Sequence, residues 1–340
     1  MYHVLAVVVT NYCLRITRMP ILPSATQVRA AHDRIRAHVK RTVLVRSDGL
    51  SDFLGGDVWL KCECDQHTGS FKFRGATNVL ALMDGPTRAR GVVASSAGNH
   101  GAGIAAAAQA LGIACTVYVP SVSPAAKRDR IRAAGATVDA SAPHYDAAEA
   151  LAKAHAARTG ATFVSPCTGI DLMAGQGTIA LEILEELPAV RTIVTNVGGG
   201  GLCGGLGGFI NDAAPQVTLI GAQNEHTDAM ARAIAANAPA DDGHHATVCD
   251  GLAGLVDDEM LAQGRESLKR IAVSSESDVR SAIAYLWIEE GVQVEGAGAA
   301  GVAAALSGRL GEIEFPCAIV LSGGNIDEAT HAGILKDNDE

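Results

Sequence analysis

The chain is predicted to be an α/β protein whose parallel sheets are covered by helices on both faces. Apolar runs of strand length alternate with amphipathic or alanine-rich helical patterns along most of the 340 residues. The strand-length runs are continuous rather than alternating in polarity, which is typical of parallel strands buried on both faces. Glycine accounts for 38 residues, a content that suits tight turns and close contacts between helices and strands.

Helices and strands can be assigned in order along the chain. Residues 26–40 are predicted to form an amphipathic helix, because apolar side chains recur there at spacings of three and four. The predicted strands cover residues 58–60, 91–95, 114–119, 136–139, 162–164, 191–197, 217–222 and 318–321. The other predicted helices cover residues 101–111, 124–134, 146–158, 174–186, 201–211, 278–289 and 297–306. Segment 236–249 is interpreted as a surface loop.

Composition and charge exclude several classes of protein. The chain is 48% hydrophobic and long enough for two domains of ordinary size. Its formal net charge of −10 argues against nucleic acid or an anionic membrane as a partner. The apolar run 4–9 is too short to span a bilayer, and no other segment is a candidate. Residues 1–18 are interpreted as a disordered or mis-started extension.

Candidate metal ligands are few, and no metal is expected. Cys62 and Cys64 are close in sequence, but no second Cys/His pair follows at the spacing of a zinc site. The eight cysteines are therefore interpreted as reduced thiols of a cytosolic protein. The 236–249 loop contains four residues that could bind a metal, although a solvated loop is the preferred interpretation: Asp241, Asp242, His244 and His245.

The glycine run Gly198–Gly201 follows a predicted strand and precedes a predicted helix. Glycines allow backbone amides to approach a ligand closely, and a helix N-terminus adds partial positive charge that suits a phosphate. Neither a Walker A lysine nor the acidic residue of a dinucleotide fingerprint follows the run. Taken alone, the run is equally compatible with a phosphate site and with a tight structural turn.

Three other motifs are ambiguous when each is taken alone. Segment 95–101 could bind a carboxylate through free amides, but an ordinary helix N-cap is the commoner reason for such residues. Lys72 could be a surface lysine, and segment 322–325 could be a turn. All four motifs are nevertheless predicted at the carboxyl ends of strands, where ligands bind in open α/β sheets. An amine, an anion cradle and a hydroxyl could there bind three sides of pyridoxal phosphate (PLP).

These motifs resemble the fold-type II PLP enzymes, and specifically the serine/threonine dehydratase and serine racemase group. Segment 61–76 resembles the family's Lys-x-Glu-x-x-Gln…Ser-Phe-Lys-x-Arg-Gly-Ala block, and segment 96–100 resembles its asparagine loop. Five further segments match in family order: 174–178 (Ala-Gly-Gln-Gly-Thr), the glycine run, 250–252, 294–296 and 321–325. The resemblance covers residues 26–327.

The resemblance implies a two-domain fold similar to that of the tryptophan synthase β subunit. Residues 19–69 and 166–335 would form a large PLP-binding domain, and residues 70–165 a small domain with the asparagine loop. It also implies a cytoplasmic homodimer.

The resemblance also implies a role for each motif. Lys72 would be the catalytic residue and would bind PLP as a Schiff base. Phe71 would pack beside the cofactor ring, Asn99 would bind the ring 3-hydroxyl, and Ser322 would meet the pyridine nitrogen. The phosphate would be bound by Gly198, Gly199, Gly200, Gly201 and Leu202, with Gly251 and Glu295 at the cofactor edge. The substrate carboxylate would be met by Ser96, Ala97, Gly98, Asn99 and His100.

The implied reaction is an α,β-elimination. The enzyme would convert a β-hydroxy amino acid, by default L-threonine or L-serine, to a 2-oxo acid and ammonia. The alternatives are a β-eliminase for 3-hydroxyaspartate or an osmolyte-derived hydroxy amino acid, a serine racemase, a β-replacement synthase, and a catalytically silent PLP-binding protein. Intact Lys72, Asn99 and Ser322 argue against the silent protein.

Three positions depart from the family pattern. Ala97 stands where serine racemases carry a serine, which predicts elimination without appreciable racemisation. Gln223 stands where many relatives carry a metal-binding glutamate, which predicts little or no activation by magnesium or calcium. Segment 42–44 reads Thr-Val-Leu in place of Thr-Pro-Leu, and only local packing is expected to change.

Overall fold

A computed structural model describes residues 21–243 and 245–338, which contain twelve strands and fourteen α-helices. The strands are β1 (Leu44–Ser47), β2 (Val58–Lys61), β3 (Val92–Ser95), β4 (Cys115–Pro120), β5 (Thr137–Ala142), β6 (Thr162–Phe163), β7 (Thr192–Asn196), β8 (Thr218–Asn224), β9 (Ala240–Asp241), β10 (Leu255–Val256), β11 (Arg270–Ser274) and β12 (Cys317–Val320).

The helices are α1 (Ala25–Ile35), α2 (Asp48–Leu54), α3 (Lys72–Ala81), α4 (Gly85–Arg90), α5 (Asn99–Leu111), α6 (Ala125–Ala133), α7 (Tyr145–Thr159), α8 (Ile170–Glu186), α9 (Gly201–Ala213), α10 (Ala229–Ala236), α11 (Asp258–Ser267), α12 (Glu276–Ile288), α13 (Gly296–Leu306) and α14 (Glu328–Asp337). Two 3-10 turns span Glu63–Asp65 and Asp250–Leu252. No helix in the described part of the chain is long and apolar enough to cross a membrane.

The larger sheet has six strands in the order β1-β2-β12-β7-β8-β11. Its strands are parallel except β1, which pairs antiparallel with β2 at one edge. One face packs against α12 and α13, and the other against α1, α8 and α9. Every residue of β7 is buried. The predicted α/β class, with parallel sheets covered on both faces, is therefore confirmed.

The smaller sheet has four parallel strands in the order β5-β4-β3-β6. Its core is formed by side chains of α3, α5 and the central strands β3 and β4. Helix α3 packs against both α5 and α8, so it lies between elements of the two sheets. A Cβ atom at Gly103 of α5 would lie 3.2 Å from the Lys72 carbonyl carbon. The glycine thus lets α5 approach the first turn of α3.

A buried ionic network fixes α3 against α8. The guanidinium of Arg74 donates to both Glu63 and Glu182, and Lys61 donates to Glu182 at 2.7 Å. All four side chains are at most 1% exposed. Two cations and two carboxylates therefore balance in the interior, which limits the cost of burying charge.

Several elements of the structure were not predicted from the sequence. Most are short or partly exposed: β1, β9, β10, β11, α2, α4, α10, α11 and α14. Helix α3, which is mostly buried, was not predicted either. Helix α1 also ends at Ile35, five residues earlier than predicted, because residues 36–39 turn back on Ile35. The smaller sheet comes from residues 92–163 and the larger from residues 44–61 and 192–320. The domain boundaries themselves stay a prediction, and the 1–18 extension lies outside the described residues.

Candidate active site

Lys72 is the first residue of α3, and its side chain reaches toward the edge of the larger sheet. Its Nζ donates to the Pro166 carbonyl at 2.8 Å and lies 5.1 Å from the Phe71 ring centroid. The expectation that Lys72 follows a strand end is wrong, because β2 ends at Lys61. A bridge between Ser70 and Gly323 instead brings the lysine beside the loop after β12.

The glycine run joins the end of β7 to the start of α9, as predicted. Gly200 has φ +91°, in the left-handed region that favours glycine. A Cβ atom at Gly198 would lie 3.0 Å from the Leu252 carbonyl oxygen, and one at Gly199 would lie 2.6 Å from Cys167 Sγ. The run thus packs closely at the start of α9, where a helix N-terminus favours an anion. Leu202 lies in the first turn of α9 with its side chain buried.

Asn99 begins α5, and its amide has a fixed orientation. Its Oδ1 accepts from Asn325 Nδ2 at 2.7 Å, and its Nδ2 donates to Glu295 Oε1 at 2.6 Å. Asn325 Nδ2 also donates to the Thr68 carbonyl at 2.9 Å. Because Asn325 occupies the acceptor side, Asn99 presents its donor to the site.

Ser322 follows β12, and a second amide positions its hydroxyl. Asn196 Nδ2, at the end of β7, donates to Ser322 Oγ at 3.0 Å, while Asn196 Oδ1 accepts from Gly301 N at 2.9 Å. The Ser322 hydroxyl donates to the Ala297 carbonyl at 3.4 Å, which is a long hydrogen bond. One lone pair of Oγ is thus engaged, and the proton is held weakly enough to turn to a better acceptor.

The predicted carboxylate loop runs from Ser96 to His100, between β3 and the first turn of α5. Ser96 Oγ accepts from Gly98 N at 3.1 Å, which holds the loop in shape. Ala97 and Gly98 are half-buried. His100 is buried and contacts the Val164 carbonyl at 3.0 Å through Nε2. Burial lowers the pKa of His100 to about 3, and nearby Lys72 acts in the same direction, so the ring is neutral.

Glu295 lies beside Gly251, as the resemblance implied. A Cβ atom at Gly251 would lie 3.0 Å from the Ala297 Cβ and 4.0 Å from Glu295 Oε1. Burial raises the pKa of Glu295 to about 7, with the charge of Asp250 acting in the same direction. The hydrogen bond from Asn99 opposes this shift. Glu295 is thus a carboxyl group that titrates close to neutral pH.

The candidate metal ligands do not converge within the described residues. No group of three or more His, Cys, Asp or Glu side chains there could bind a metal ion. Asp242 instead caps backbone amides of Ala229 and Gly254, and His245 stacks on His226. Cys62 and Cys64 are free thiols. His244 lies outside the described residues.

Sequence reasoning missed the residues that orient the site side chains. Asn196 and Asn325 lie at or just after strand ends, a position that is the one available signal for them. The Pro166 carbonyl and Cys167 belong to a segment that carried no motif. Their contacts with Lys72 and the glycine run depend on tertiary packing, which no local pattern shows.

The arrangement fits PLP by its chemistry. The glycine run packs so closely on Cys167 and Leu252 that no Cβ atom fits there, and its amides suit a phosphate. An amine at Lys72, an oriented amide donor at Asn99 and a hydroxyl donor at Ser322 surround the same site. The site thus combines the groups that a phosphorylated aldehyde such as PLP requires.

Comparisons with known proteins agree with this class. A family model described as "Pyridoxal-phosphate dependent enzyme" matches residues 35–323. The chain is 39% identical to an L-threonine ammonia-lyase of Thermotoga maritima, over 88% of this chain and 75% of that protein. It is 31% identical to a beta-hydroxyaspartate dehydratase of Paracoccus denitrificans, over 90% and 97%. Maize serine racemase superposes with a TM-score of 0.87 at 29% identity, over 93% and 98%.

The chain therefore belongs to the pyridoxal-phosphate dependent enzyme family, and pyridoxal phosphate is its cofactor. Within that family it is a carbon–nitrogen lyase of the fold-type II serine/threonine dehydratase group.

Proposed function

We propose that the protein is a dehydratase that converts a β-hydroxy amino acid to a 2-oxo acid and ammonia. L-Threonine and L-serine are the default substrates. The observation that carries the proposal is the position of the Lys72 amine. It donates to the Pro166 carbonyl, next to the Cys167 that packs on Gly199, and the Ser70–Gly323 bridge brings it beside the loop of Ser322. The names of relatives that act on threonine support the same reaction.

Lys72 is the proposed base in this reaction. PLP, when bound, supplies the electron sink that makes the substrate Cα–H acidic. The Lys72 amine takes the α-proton, the Cβ–O bond breaks, and the hydroxyl leaves as water. Water then replaces the nitrogen, so one substrate gives one 2-oxo acid and one ammonia, with no net water. Neutral His100 and the first amides of α5 would bind the substrate carboxylate.

Ser322 favours elimination over transamination in this proposal. Asn196 donates to its oxygen, and the bond from its hydroxyl to the Ala297 carbonyl is long, so the proton can turn to an acceptor such as a pyridine nitrogen. A neutral hydroxyl does not enforce protonation of that nitrogen as a carboxylate would. PLP beside a neutral hydroxyl would withdraw electrons less strongly than PLP beside a carboxylate. That difference would favour prompt loss of the leaving group at Cβ.

Ala97 disfavours the racemase alternative. Inversion at Cα needs an acid on the face opposite Lys72, within hydrogen-bond reach of the carbon. Ala97 offers only a methyl group, and Ser96 Oγ is bonded to Gly98 N. Racemisation of L-serine is therefore expected to be much slower than release of pyruvate.

A cytoplasmic homodimer is also part of the proposal. The family resemblance supports it, and so does apolar surface near the sheet edge. Val43 and Val45, at alternate positions of an extended segment, are 56% and 43% exposed. Exposed apolar surface at an edge is a common feature of subunit contacts.

The proposed function is tested by product release from a panel of hydroxy amino acids. The purified holoenzyme is incubated with L-threonine, L-serine and 3-hydroxyaspartate, and 2-oxo acid and ammonia are measured together. At least one substrate should give both products in a ratio of one to one. Lys72→Ala should lose nearly all turnover. Absence of 2-oxo acid with every member of the panel would refute the proposal.

A further inference from the structure

Helix α6 forms one wall of the site and is strongly basic. It follows β4, which pairs in parallel with β3, so the starts of α5 and α6 share one edge of the smaller sheet. A Cβ atom at Gly101 of α5 would lie 3.1 Å from Ile131 Cδ1, which shows how closely the two helices pack. Helix α6 thus lies directly beside the loop that contains Asn99.

The cations of α6 differ in their partners. Lys127 Nζ pairs with Asp250 Oδ2 at 2.9 Å, which joins α6 to the turn that contains Gly251. Arg132 is exposed and pairs with Asp129 on its own helix at 2.7 Å. Arg130 forms no ion pair with any described residue, and its Nε is buried without a hydrogen-bond partner there.

Arg128 likewise forms no ion pair with any described residue, and its Nε is also buried without a partner. Arg130 differs from it because it lies one turn after Lys127, the residue that contacts Asp250, and because the carboxylate whose charge acts on it is that of Glu295, the group bonded to Asn99. Glu295 is a weak counter-ion because its pKa is raised to about 7 by burial, so much of it is uncharged at neutral pH. A half-buried guanidinium with an unsatisfied donor is costly unless a ligand supplies the acceptor. Arg130 therefore lies beside the active site with hydrogen-bonding capacity to spare.

We propose that Arg130 binds a second carboxylate on the substrate, which makes the preferred substrate a dicarboxylic β-hydroxy amino acid of the 3-hydroxyaspartate class. The inference rests on the proposed function, because one carboxylate occupies the Ser96–His100 loop and the other pairs with Arg130. A planar guanidinium suits a carboxylate through two parallel hydrogen bonds. Elimination from 3-hydroxyaspartate gives oxaloacetate and ammonia by the steps described above. Serine and threonine would leave Arg130 without that partner.

The first test compares kcat/KM for 3-hydroxyaspartate and L-serine in four proteins: wild type, Arg130→Ala, Arg130→Lys and Arg132→Ala. Arg130→Ala should lower kcat/KM for 3-hydroxyaspartate by roughly 100-fold, mostly through KM, and change that for L-serine by less than about threefold. Arg130→Lys should recover part of the loss. Arg132→Ala, a matched change on the same helix, should alter neither. An equal loss for both substrates would overturn the proposal.

The second test measures binding without turnover. Calorimetry of the holoenzyme compares succinate with butyrate, in which a methyl group replaces one carboxylate. Arg130→Ala should weaken succinate binding at least about tenfold and leave butyrate unchanged. Unchanged succinate binding would refute the proposal even if the enzyme is active.

The two tests also separate this inference from the proposed function. If no hydroxy amino acid releases a 2-oxo acid but binding of succinate still requires Arg130, the proposed function is refuted and the proposed carboxylate site is supported. Arg130→Gln, which keeps the length of the side chain, replaces Arg130→Ala if the alanine variant does not fold.

Discussion

The side chains that face the cofactor site are each oriented by a neighbouring polar group. Asn325 fixes the amide of Asn99, Asn196 fixes the hydroxyl of Ser322, and the Pro166 carbonyl accepts from Lys72. Such partners lower the freedom of the reacting groups before any ligand arrives.

Gly199 provides a direct test of the phosphate cradle. A Cβ atom there would lie 2.6 Å from Cys167 Sγ, so Gly199→Val should push the glycine run out of place and weaken PLP affinity by roughly 100-fold or more. The control is Gly205→Val, which disturbs packing of α9 on α8 and should lower the stability of the apoprotein instead. Affinity is measured by absorbance titration and stability by calorimetry. If Gly199→Val lowers apoprotein stability as much as cofactor affinity, the run is a structural turn.

Glu295 should make the stability of the apoprotein depend on pH. Its folded pKa of about 7 lies above the ordinary value near 4.5, so the folded protein holds a proton that the unfolded chain loses. The stabilisation is complete below about pH 4.5 and is lost as the pH rises through 7. Relative to Glu295→Gln, wild type should lose on the order of 2 kcal/mol of unfolding free energy between pH 5 and 8. Parallel urea-unfolding profiles for the two proteins would contradict the pKa assignment.

The candidate site residues could be proposed from sequence, whereas the groups that orient them could not. Lys72 and the glycine run lie in short local motifs whose chemistry is visible in a few consecutive residues. Asn196 meets Ser322 across 126 positions of the chain, and Asn325 meets Asn99 across 226. The first contact joins neighbouring strands of the larger sheet, and the second joins α5 to the loop after β12, so neither is visible in a local pattern.

At the scale of elements, Gln223 links the end of β8 to the start of the phosphate cradle. Its Nε2 donates to the carbonyls of Val197 at 3.0 Å and Thr227 at 2.8 Å, and its Oε1 accepts from Ala231 N at 2.9 Å. Val197 immediately precedes Gly198. The neutral Gln223 amide thus donates to two carbonyl oxygens that a bound metal cation could otherwise contact.

Gln223→Glu should create a requirement for a divalent cation. A carboxylate would face the carbonyls of Val197 and Thr227, and three converging oxygens suit calcium or magnesium. The melting temperature of this variant should fall in chelator and recover with calcium, whereas that of wild type should change in neither condition. Gln223→Ala, which lacks a ligand, should not recover. A reversible loss of wild-type activity on chelation would contradict this account.

The buried network of α3 and α8 should govern acid stability. Burial alone would raise the pKa of Glu182, but the charges of Arg74 and Lys61 outweigh it, and the pKa is lowered. Its stabilisation is therefore present above the unfolded pKa near 4.3 and is lost as the pH falls through the lower folded value.

Glu182→Gln should cost about 3–5 kcal/mol of unfolding free energy at pH 7, because it leaves two buried cations with one carboxylate. The difference from wild type should shrink at pH 4 and below. Glu185→Gln, an exposed position on the same helix that pairs with Arg41, should cost less than about 1 kcal/mol. Urea unfolding at both pH values measures each effect. Similar costs for the two variants would show that the network is not stabilising.

Burial explains which elements the sequence could predict. The strands of the two parallel sheets are continuous apolar runs, and the sequence predicted most of them. Largely exposed β1, α4 and α14 carry mixed polarity, so no period stands out. Helix α3 is mostly buried but mixes polar and apolar residues on its buried positions. Helix α3 is held by the Arg74 network and by close packing on α5 and α8, which are tertiary effects.

In the molecule as a whole, the two sheets and their helices place Lys72 between elements of the smaller sheet and elements of the larger sheet. The loop of Asn99 and helix α6 belong to the smaller sheet, and the glycine run and Ser322 belong to the larger one. The fold class and the cofactor could be predicted from the order of motifs along the chain. Arg130 of α6 could not be predicted as a site residue, because a basic helix is usually a solvated one.

Reduction of the holoenzyme with borohydride tests most directly whether PLP is attached to Lys72. The reduced protein is digested, and the labelled peptide is identified by mass spectrometry. The account predicts a single phosphopyridoxyl label on Lys72 and none in Lys72→Ala, which should still bind PLP weakly at the glycine run. A label on any other lysine of the wild-type protein would contradict the assignment of the site.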